Sequence, residues 1–243
     1  MLSFVYPPAV YGFFALLPQL GLVPEEGERI RILDLGAGGS RPPMALFAEH
    51  GYAAIGVDID PERVDLARRA GEDRALDLNI CAGDMCALPF QDHSFHAAYE
   101  FYSMCHLSRA DHALAIGEMM RVLKPGGVCF LGFMGRDSWP LFGLEAGCGE
   151  IVFNEGGKDV LHSIFVEDEP DAFFSAWEIL RKETVVQRRL HNWRVTSREE
   201  WEAMYDPERI AMSREAWLET YEERMERVNY THYFYTIRRL DGS

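Results

Sequence analysis

The sequence predicts an α/β protein organised around a doubly wound, largely parallel sheet. Three observations carry that reading. Strand-like and helix-like runs alternate from residue 30 to about residue 134, the order that βαβ units produce. The first apolar strand, Arg31–Asp34, ends in an acid and opens almost at once into Gly36-Ala37-Gly38-Gly39. A second apolar strand, Ala53–Asp58, also ends in an acid. Small residues after a buried strand let main chain approach a bound ligand, and open parallel sheets bind ligands at the carboxyl ends of their strands.

Each element has its own signal. After the glycine turn, a helix near Pro42–His50 starts on prolines and stops before Gly51, the usual placement of both residue types. Asp60 caps the next helix, Pro61 takes its first position, and it runs to about Ala70. A third strand covers Leu76–Cys81 and a fourth Phe95–Phe101. Ser108 with Asp111 resembles a capping box opening a helix to Leu123. Pro125-Gly126-Gly127 stops that helix, and Val128–Met134 is a fifth strand. Gly135–Gly157 reads as an irregular glycine-rich stretch. Asp171–Lys182 spaces Phe173, Phe174, Trp177 and Leu180 as an amphipathic helix would. Thr184–Leu190 and Thr231–Arg239 read as an antiparallel strand pair, with charged helices near Ser197–Met204 and Ser213–Val228 between them.

Composition narrows the function classes. The 243 residues suffice for one large domain, and nearly half are apolar. The net charge of −15, from 39 acidic and 24 basic residues, repels phosphate backbones and anionic lipid, so neither nucleic acid nor membrane is expected as a partner. Cys81, Cys86, Cys105, Cys129 and Cys148 are odd in number and form no C-x-x-C. They read as reduced thiols of a cytoplasmic protein, with no metal site. The apolar N-terminus lacks a basic flank, and Pro7, Pro8, Pro18 and Pro24 divide it. It predicts a short packed helix near Ala9–Leu17, not a membrane anchor. Its aromatics Tyr6, Tyr11, Phe13 and Phe14 are candidates for core or pocket lining.

The glycine turn alone fits two cofactor classes. A dinucleotide fingerprint wants G-x-G-x-x-G, and Gly36 and Gly38 fit, but Arg41 stands at the third position. Asp58, at the tip of the second strand, is placed to accept from ribose hydroxyls.

Four segments in order resemble the Rossmann-like, class I S-adenosylmethionine-dependent methyltransferases. They are LDLGAGGS (Leu33–Ser40), GVDID (Gly56–Asp60), GDMCALPFQDHSFHAAYE (Gly83–Glu100) and EMMRVLKPGGVCFLGF (Glu118–Phe133), so the resemblance spans about residues 28–134. It implies a sheet of seven strands in the order 3-2-1-4-5-7-6, the last pair antiparallel, with a helical insertion before the last strand. It implies S-adenosyl-L-methionine as methyl donor and S-adenosyl-L-homocysteine as product. It places Asp34, Gly36, Ala37 and Gly38 at the donor, Asp58 at the ribose, Asp84 with Met85 at the adenine, and Ile59 among the cofactor contacts. Ser40 and His96 depart from the family's usual residues, at positions that do not touch the cofactor's recognition.

A sulfonium is already an activated methyl donor, so the protein must mainly align the acceptor and exclude water. A base is needed where the nucleophile carries a proton. His106 is the candidate base by type and place; Glu100 is a further cofactor contact, and Tyr102 a pocket wall. No [DNS]-P-P-[YFW] follows the fourth strand and no Pro-Cys occurs, which points away from nucleobase acceptors and towards a small molecule. Trp139, Phe142, Trp193, Trp201 and Trp217 suit an apolar acceptor, although core packing uses the same residues. The expected organisation is one domain over residues 1–243, with an N-terminal cap at 1–27 and a helical insertion or lid at 190–230. Two other readings remain open here, a binding protein for the same cofactor without transferase activity and an NAD-dependent oxidoreductase.

Overall fold

The computed structural model describes residues 6–25, 27, 29–136, 138, 149–155, 158–188, 197–203, 205, 207, 213–219, 221 and 229–240. Helix α1 (Pro8–Leu16) precedes β1 (Arg31–Leu35), α2 (Met44–Glu49), β2 (Ala53–Asp58), α3 (Pro61–Glu72), β3 (Asn79–Ala82), β4 (Phe95–Glu100), α4 (Arg109–Val122) and β5 (Leu123–Gly135). Then come β6 (Glu150–Glu155), β7 (Lys158–Phe165), β8 (Trp177–Arg188), α5 (Arg198–Ala203), α6 (Arg214–Glu219) and β9 (Asn229–Arg239).

The expected starts and stops of the helices are present as hydrogen bonds. The Asp60 carboxylate accepts from the Glu62 and Arg63 amides and opens α3. The Ser108 hydroxyl accepts from the Asp111 amide and opens α4. After α4, Pro125-Gly126-Gly127 does more than stop a helix. Leu123 already pairs with Phe95, and the register then slips before Val128 meets Ala97. Gly126 takes φ of +72° in that bulge, a backbone conformation glycine adopts without penalty.

Strands β3, β2, β1, β4 and β5 lie side by side, all parallel. Strand β9 runs antiparallel to β5, and β8 antiparallel to β9. Numbered by the seven expected strands, this is the order 3-2-1-4-5-7-6. The sheet holds nine strands, because β6 and β7 form an antiparallel hairpin whose second strand touches the end of β5 at Met134 and Gly135. The hairpin begins inside the stretch expected to be irregular.

A second difference concerns Asp171–Lys182. It is a 3-10 turn at Glu169–Phe174 followed by the start of β8, not an amphipathic helix. The spacing of Trp177 and Leu180 mimics a helical stripe, but the two side chains pack on opposite faces of the sheet. A bulge between Ile179 and Arg181 shifts the two-residue alternation by one.

Alternation along the strands divides the core in two. Ile32, Phe130 and Phe234 face the layer formed by α1, α2 and α3, with Phe13 and Phe47. Leu33, Leu131 and Tyr235 face α4. Trp201 and Trp217 stack on each other at 4.2 Å and 2°, forming a separate cluster. Each indole N–H donates to the other's main-chain carbonyl. These two tryptophans therefore serve the α5–α6 pair. Trp139, Phe142, Trp193 and Cys148 lie outside the described residues, as does most of 190–230. No helix among the described residues is long and apolar enough to cross a membrane.

Candidate active site

The turn after β1 is tied to the end of β2. The Gly36 and Ala37 amides donate to the Val57 carbonyl at 2.8 and 3.0 Å, and the Gly38 amide donates to Asp58 Oδ2 at 2.8 Å. Gly36 has φ of +76°, and a Cβ there would land on Ser103 Oγ. At Gly38 a Cβ would sit 2.5 Å from Asp58 Oδ2. Glycine is required at both positions, but by the packing of protein on protein beneath the turn.

The Asp58 carboxylate is nearly buried and held by both oxygens. Oδ2 takes the Gly38 amide, and Oδ1 takes the Asp60 amide at 3.0 Å. Arg63 lies over the same corner, its guanidinium donating to the Gly38 carbonyl at 3.2 Å. A carboxylate has about four acceptor sites, so this one keeps capacity for further donors. Ile59, the next residue, is 73% exposed, an apolar side chain presented beside a fixed acid. Asp84 is exposed beyond the end of the adjacent β3 and accepts from the Cys86 amide at 2.8 Å, while Met85 is half-buried.

Asp34 sits below the turn. Its Oδ2 accepts from Tyr99 Oη at 2.5 Å and from the Met44 amide at 3.0 Å. Burial pushes its carboxyl up to about 8, against the opposing pull of those two donors. Glu100 is fully buried and faces inward. Its Oε2 accepts from the Ser103 and Met104 amides, both at 3.1 Å, and its Oε1 from the Gly132 amide at 2.7 Å. It fastens the turn after β4 to β5, and burial raises its carboxyl above the ordinary range.

Two cavities meet over the carboxyl ends of β1 and β4. The smaller, about 330 Å³, is lined by Asp34, Gly36, Gly38, Arg41, Arg63 and Ser103, among others. The larger, about 610 Å³, is lined by α1 residues including Gly12, Phe13 and Leu16, by Phe130 and Met134 of β5, and by His232, Phe234 and Thr236 of β9. Pro7, Phe101 and Tyr102 belong to both. The larger cavity is walled by rings lying nearly parallel: Phe13 on Phe130 at 5.4 Å, Phe130 on Phe234 at 5.4 Å, and Phe101 on Phe234 at 6.2 Å. Tyr102, where the cavities join, holds φ of +61°, a conformation that costs a non-glycine residue about 1–3 kcal/mol and is concentrated at functional sites.

The structure thus brings Asp34, Gly36 and Gly38 together at one cavity, with Ala37 in the turn and Asp58 held beneath it. Tyr102 stands at the junction. His106 lies elsewhere. It is exposed, with Nδ1 3.2 Å from the Leu161 carbonyl and its ring 4.8 Å from that of His162, on the β7 side of the fold. The residue that sequence reasoning missed is His232. It is buried in β9, lines the larger cavity, and stands with Nδ1 3.3 Å from Tyr102 Oη. Alternation along β9 puts His232 on the same face as Phe234 and Thr236, which was a usable signal. That face's meeting with Tyr102, 130 residues earlier, was not.

Comparison with known proteins gives the class of protein that this chain is similar to. Residues 33–131 match the family model of a methyltransferase domain. The chain is 38% identical over 98 residues to demethylmenaquinone methyltransferase of Thermus thermophilus, covering 40% of this chain and 44% of that protein. It is 36% identical over 100 residues to 24-methylenesterol C-methyltransferase 2 of Oryza sativa subsp. japonica, covering 40% of this chain and 27% of that protein. The matches span less than half the length of these relatives. Over nearly the whole chain, the fold is that of a SAM-dependent methyltransferase of Methanosarcina mazei, with a TM-score of 0.63, 17% identity and coverage of 98% and 99%. Residues 33–131 of this chain thus resemble a methyltransferase domain, and the chain has the Rossmann-like fold of the solved methyltransferase.

Proposed function

We propose that the protein transfers a methyl group from S-adenosyl-L-methionine to a small, largely apolar acceptor. The observation that carries this is the meeting of two unlike cavities at Phe101 and Tyr102: a glycine turn with Asp34, Arg41 and Arg63 on one side, an aromatic slot on the other. The methyl must pass across such a junction in line, with water excluded.

On the donor side, Gly36, Ala37 and Gly38 bring main chain against the methionine portion, and Asp34 sits beneath its ammonium, a positive charge that favours ionisation of a carboxyl otherwise raised to about 8. Asp58 accepts from the ribose hydroxyls with its unused lone pairs, Ile59 and Met85 cover the adenine faces, and Asp84 accepts from the adenine amine. Glu100 supports the site by holding the turn after β4. His106, which lines neither cavity, has no part in this assignment. On the acceptor side, α1 forms a roof over the slot, which supports a cap role for residues 1–27. We assign the insertion at 190–230 as a lid in a single domain. A net charge of −15 suits a small neutral acceptor better than a polyanion.

The test is transfer of label from methyl-labelled S-adenosylmethionine to a panel of compact ring-containing hydroxyl, amine and activated-carbon compounds. Label in an extractable apolar product is expected. Tight binding of S-adenosylhomocysteine with no transfer to any panel member would replace this reading with a cofactor-binding protein that lacks transferase activity.

A further inference from the structure

The floor of the larger cavity is a patch of sheet, and the pairing of β5, β9 and β8 decides what each end of it presents. Met134, His232 and Val185 form one row across the three strands, and Phe130, Thr236 and Arg181 form another. The first row lies at the junction with the donor side, where His232 meets Tyr102. The second lies four residues back along β5, about 13 Å away at the usual rise of a strand. Helix α1 roofs much the same span, from Pro8 to Leu16.

The far row carries two side chains with unused hydrogen-bonding capacity. Thr236 is 4% exposed, and its hydroxyl makes no hydrogen bond among the described residues. His232 Nε2 is sealed off without a partner, whereas the Thr236 hydroxyl keeps accessible surface. Thr236 shares the face of β9 that Phe234 presents to the cavity. Arg181 reaches the same face through the bulge in β8. Ile179 pairs with Ile237 on the α4 side, and strict alternation would send Arg181 there too; the extra residue returns it to the α1 side, opposite Thr236. Its guanidinium donates to Glu183 at 2.7 Å and makes no other bond among the described residues, so most of its five N–H donors stay open. Glu183, in the next row opposite Phe234, keeps a negative charge beside it.

Resting on the proposed methyl transfer, we infer that Thr236 and Arg181 form a subsite for a neutral carbonyl oxygen of the acceptor, at the end of the molecule opposite the methylated atom. The Thr236 hydroxyl and the open guanidinium N–H groups donate to that oxygen. Glu183 repels a carboxylate from the same place. The acceptor class is then a planar, mostly aromatic molecule that spans the slot and ends in a ketone-type carbonyl. The rings of Phe13, Phe130 and Phe234 stack against its body.

The experiment measures, by equilibrium dialysis, the binding of 4-acetyl-4′-hydroxybiphenyl, 4-ethyl-4′-hydroxybiphenyl and 4′-hydroxybiphenyl-4-carboxylate. The probes share two rings and a hydroxyl and differ at the far group. The wild type is expected to hold the acetyl probe about tenfold more tightly than the ethyl probe. Thr236→Val and Arg181→Met should each cut that preference by about threefold or more, with ethyl affinity kept within about twofold. Glu183→Gln should tighten carboxylate binding about tenfold. Because the Thr236 hydroxyl has no partner in the fold, Thr236→Val should melt no lower than wild type. A lower melting temperature would overturn the inference. So would equal wild-type affinity for the acetyl and ethyl probes, a preference that survives both substitutions, or failure to bind either probe. Calorimetry with S-adenosylhomocysteine on the same samples reads the donor site independently. Saturable binding there without a carbonyl preference would remove the subsite and leave the methyl transfer. No binding there by the wild type would remove the proposed function, whatever the probes do.

Discussion

Replacing Gly38 by alanine tests the packing beneath the glycine turn. Gly38 is not among the left-handed glycines, so its backbone accepts a side chain, and Gly→Ala there stabilises by about 0.4–1 kcal/mol through the unfolded chain. Against that, the new Cβ would sit 2.5 Å from Asp58 Oδ2, 2.7 Å from Asp58 Cγ and 2.6 Å from Arg63 Cβ. The carboxylate has to move, and it cannot do so without loosening the Gly38 amide at 2.8 Å or the Asp60 amide at 3.0 Å. Losing one hydrogen bond to a charged acceptor costs about 1.5–3 kcal/mol. The net expectation is a loss of stability of about 1–2 kcal/mol, read by urea denaturation. S-adenosylhomocysteine affinity, read by calorimetry, falls at least about tenfold, because the displaced group is the one assigned to the ribose. A Gly38→Ala protein as stable as wild type, with unchanged affinity, would refute the reasoning.

Three further outcomes follow from the same structure. Asp34, raised to about 8 from an unfolded value near 3.8, binds its proton more tightly in the folded state. Its contribution to stability is complete below about pH 4 and is lost as pH rises towards 8, by up to about 1.4 kcal/mol per pH unit; denaturation of Asp34→Asn across that window should show a shallower fall than wild type. Glu100→Gln sets an amide donor against the amides of Ser103, Met104 or Gly132, for a loss of about 1–3 kcal/mol in thermal denaturation. Phe13→Ala removes a buried ring packed on Phe47, Tyr99 and Phe130 and should cost about 3–5 kcal/mol by the same measurement.

The parallel half of the sheet was legible because its signals are local. Asp60 and Ser108 cap the helices they precede, and strands β1, β2 and β4 are short apolar runs bounded by turn residues. The positions assigned to the donor were legible for the same reason: the turn, Asp58 and Asp84 each sit at the end of a recognisable strand. What failed was non-local or locally ambiguous. The bulge near Ile179 gave Trp177 and Leu180 a helical spacing that only pairing with β9 resolves. The hairpin β6–β7 follows a glycine-rich run whose composition gives no period. His106 has the right residue type near the right strand, yet the fold turns it towards β7. His232 reaches Tyr102 only through the closure of β9 against β5, a contact between distant parts of the chain.

Calorimetric titration of S-adenosylhomocysteine into wild type and Asp58→Ala, with NAD as the competing ligand, tests the central claim most directly. The account predicts saturable binding of S-adenosylhomocysteine to wild type, weakened by about 1–3 kcal/mol in Asp58→Ala, and no binding of NAD. Tight NAD binding with no heat from S-adenosylhomocysteine would contradict it.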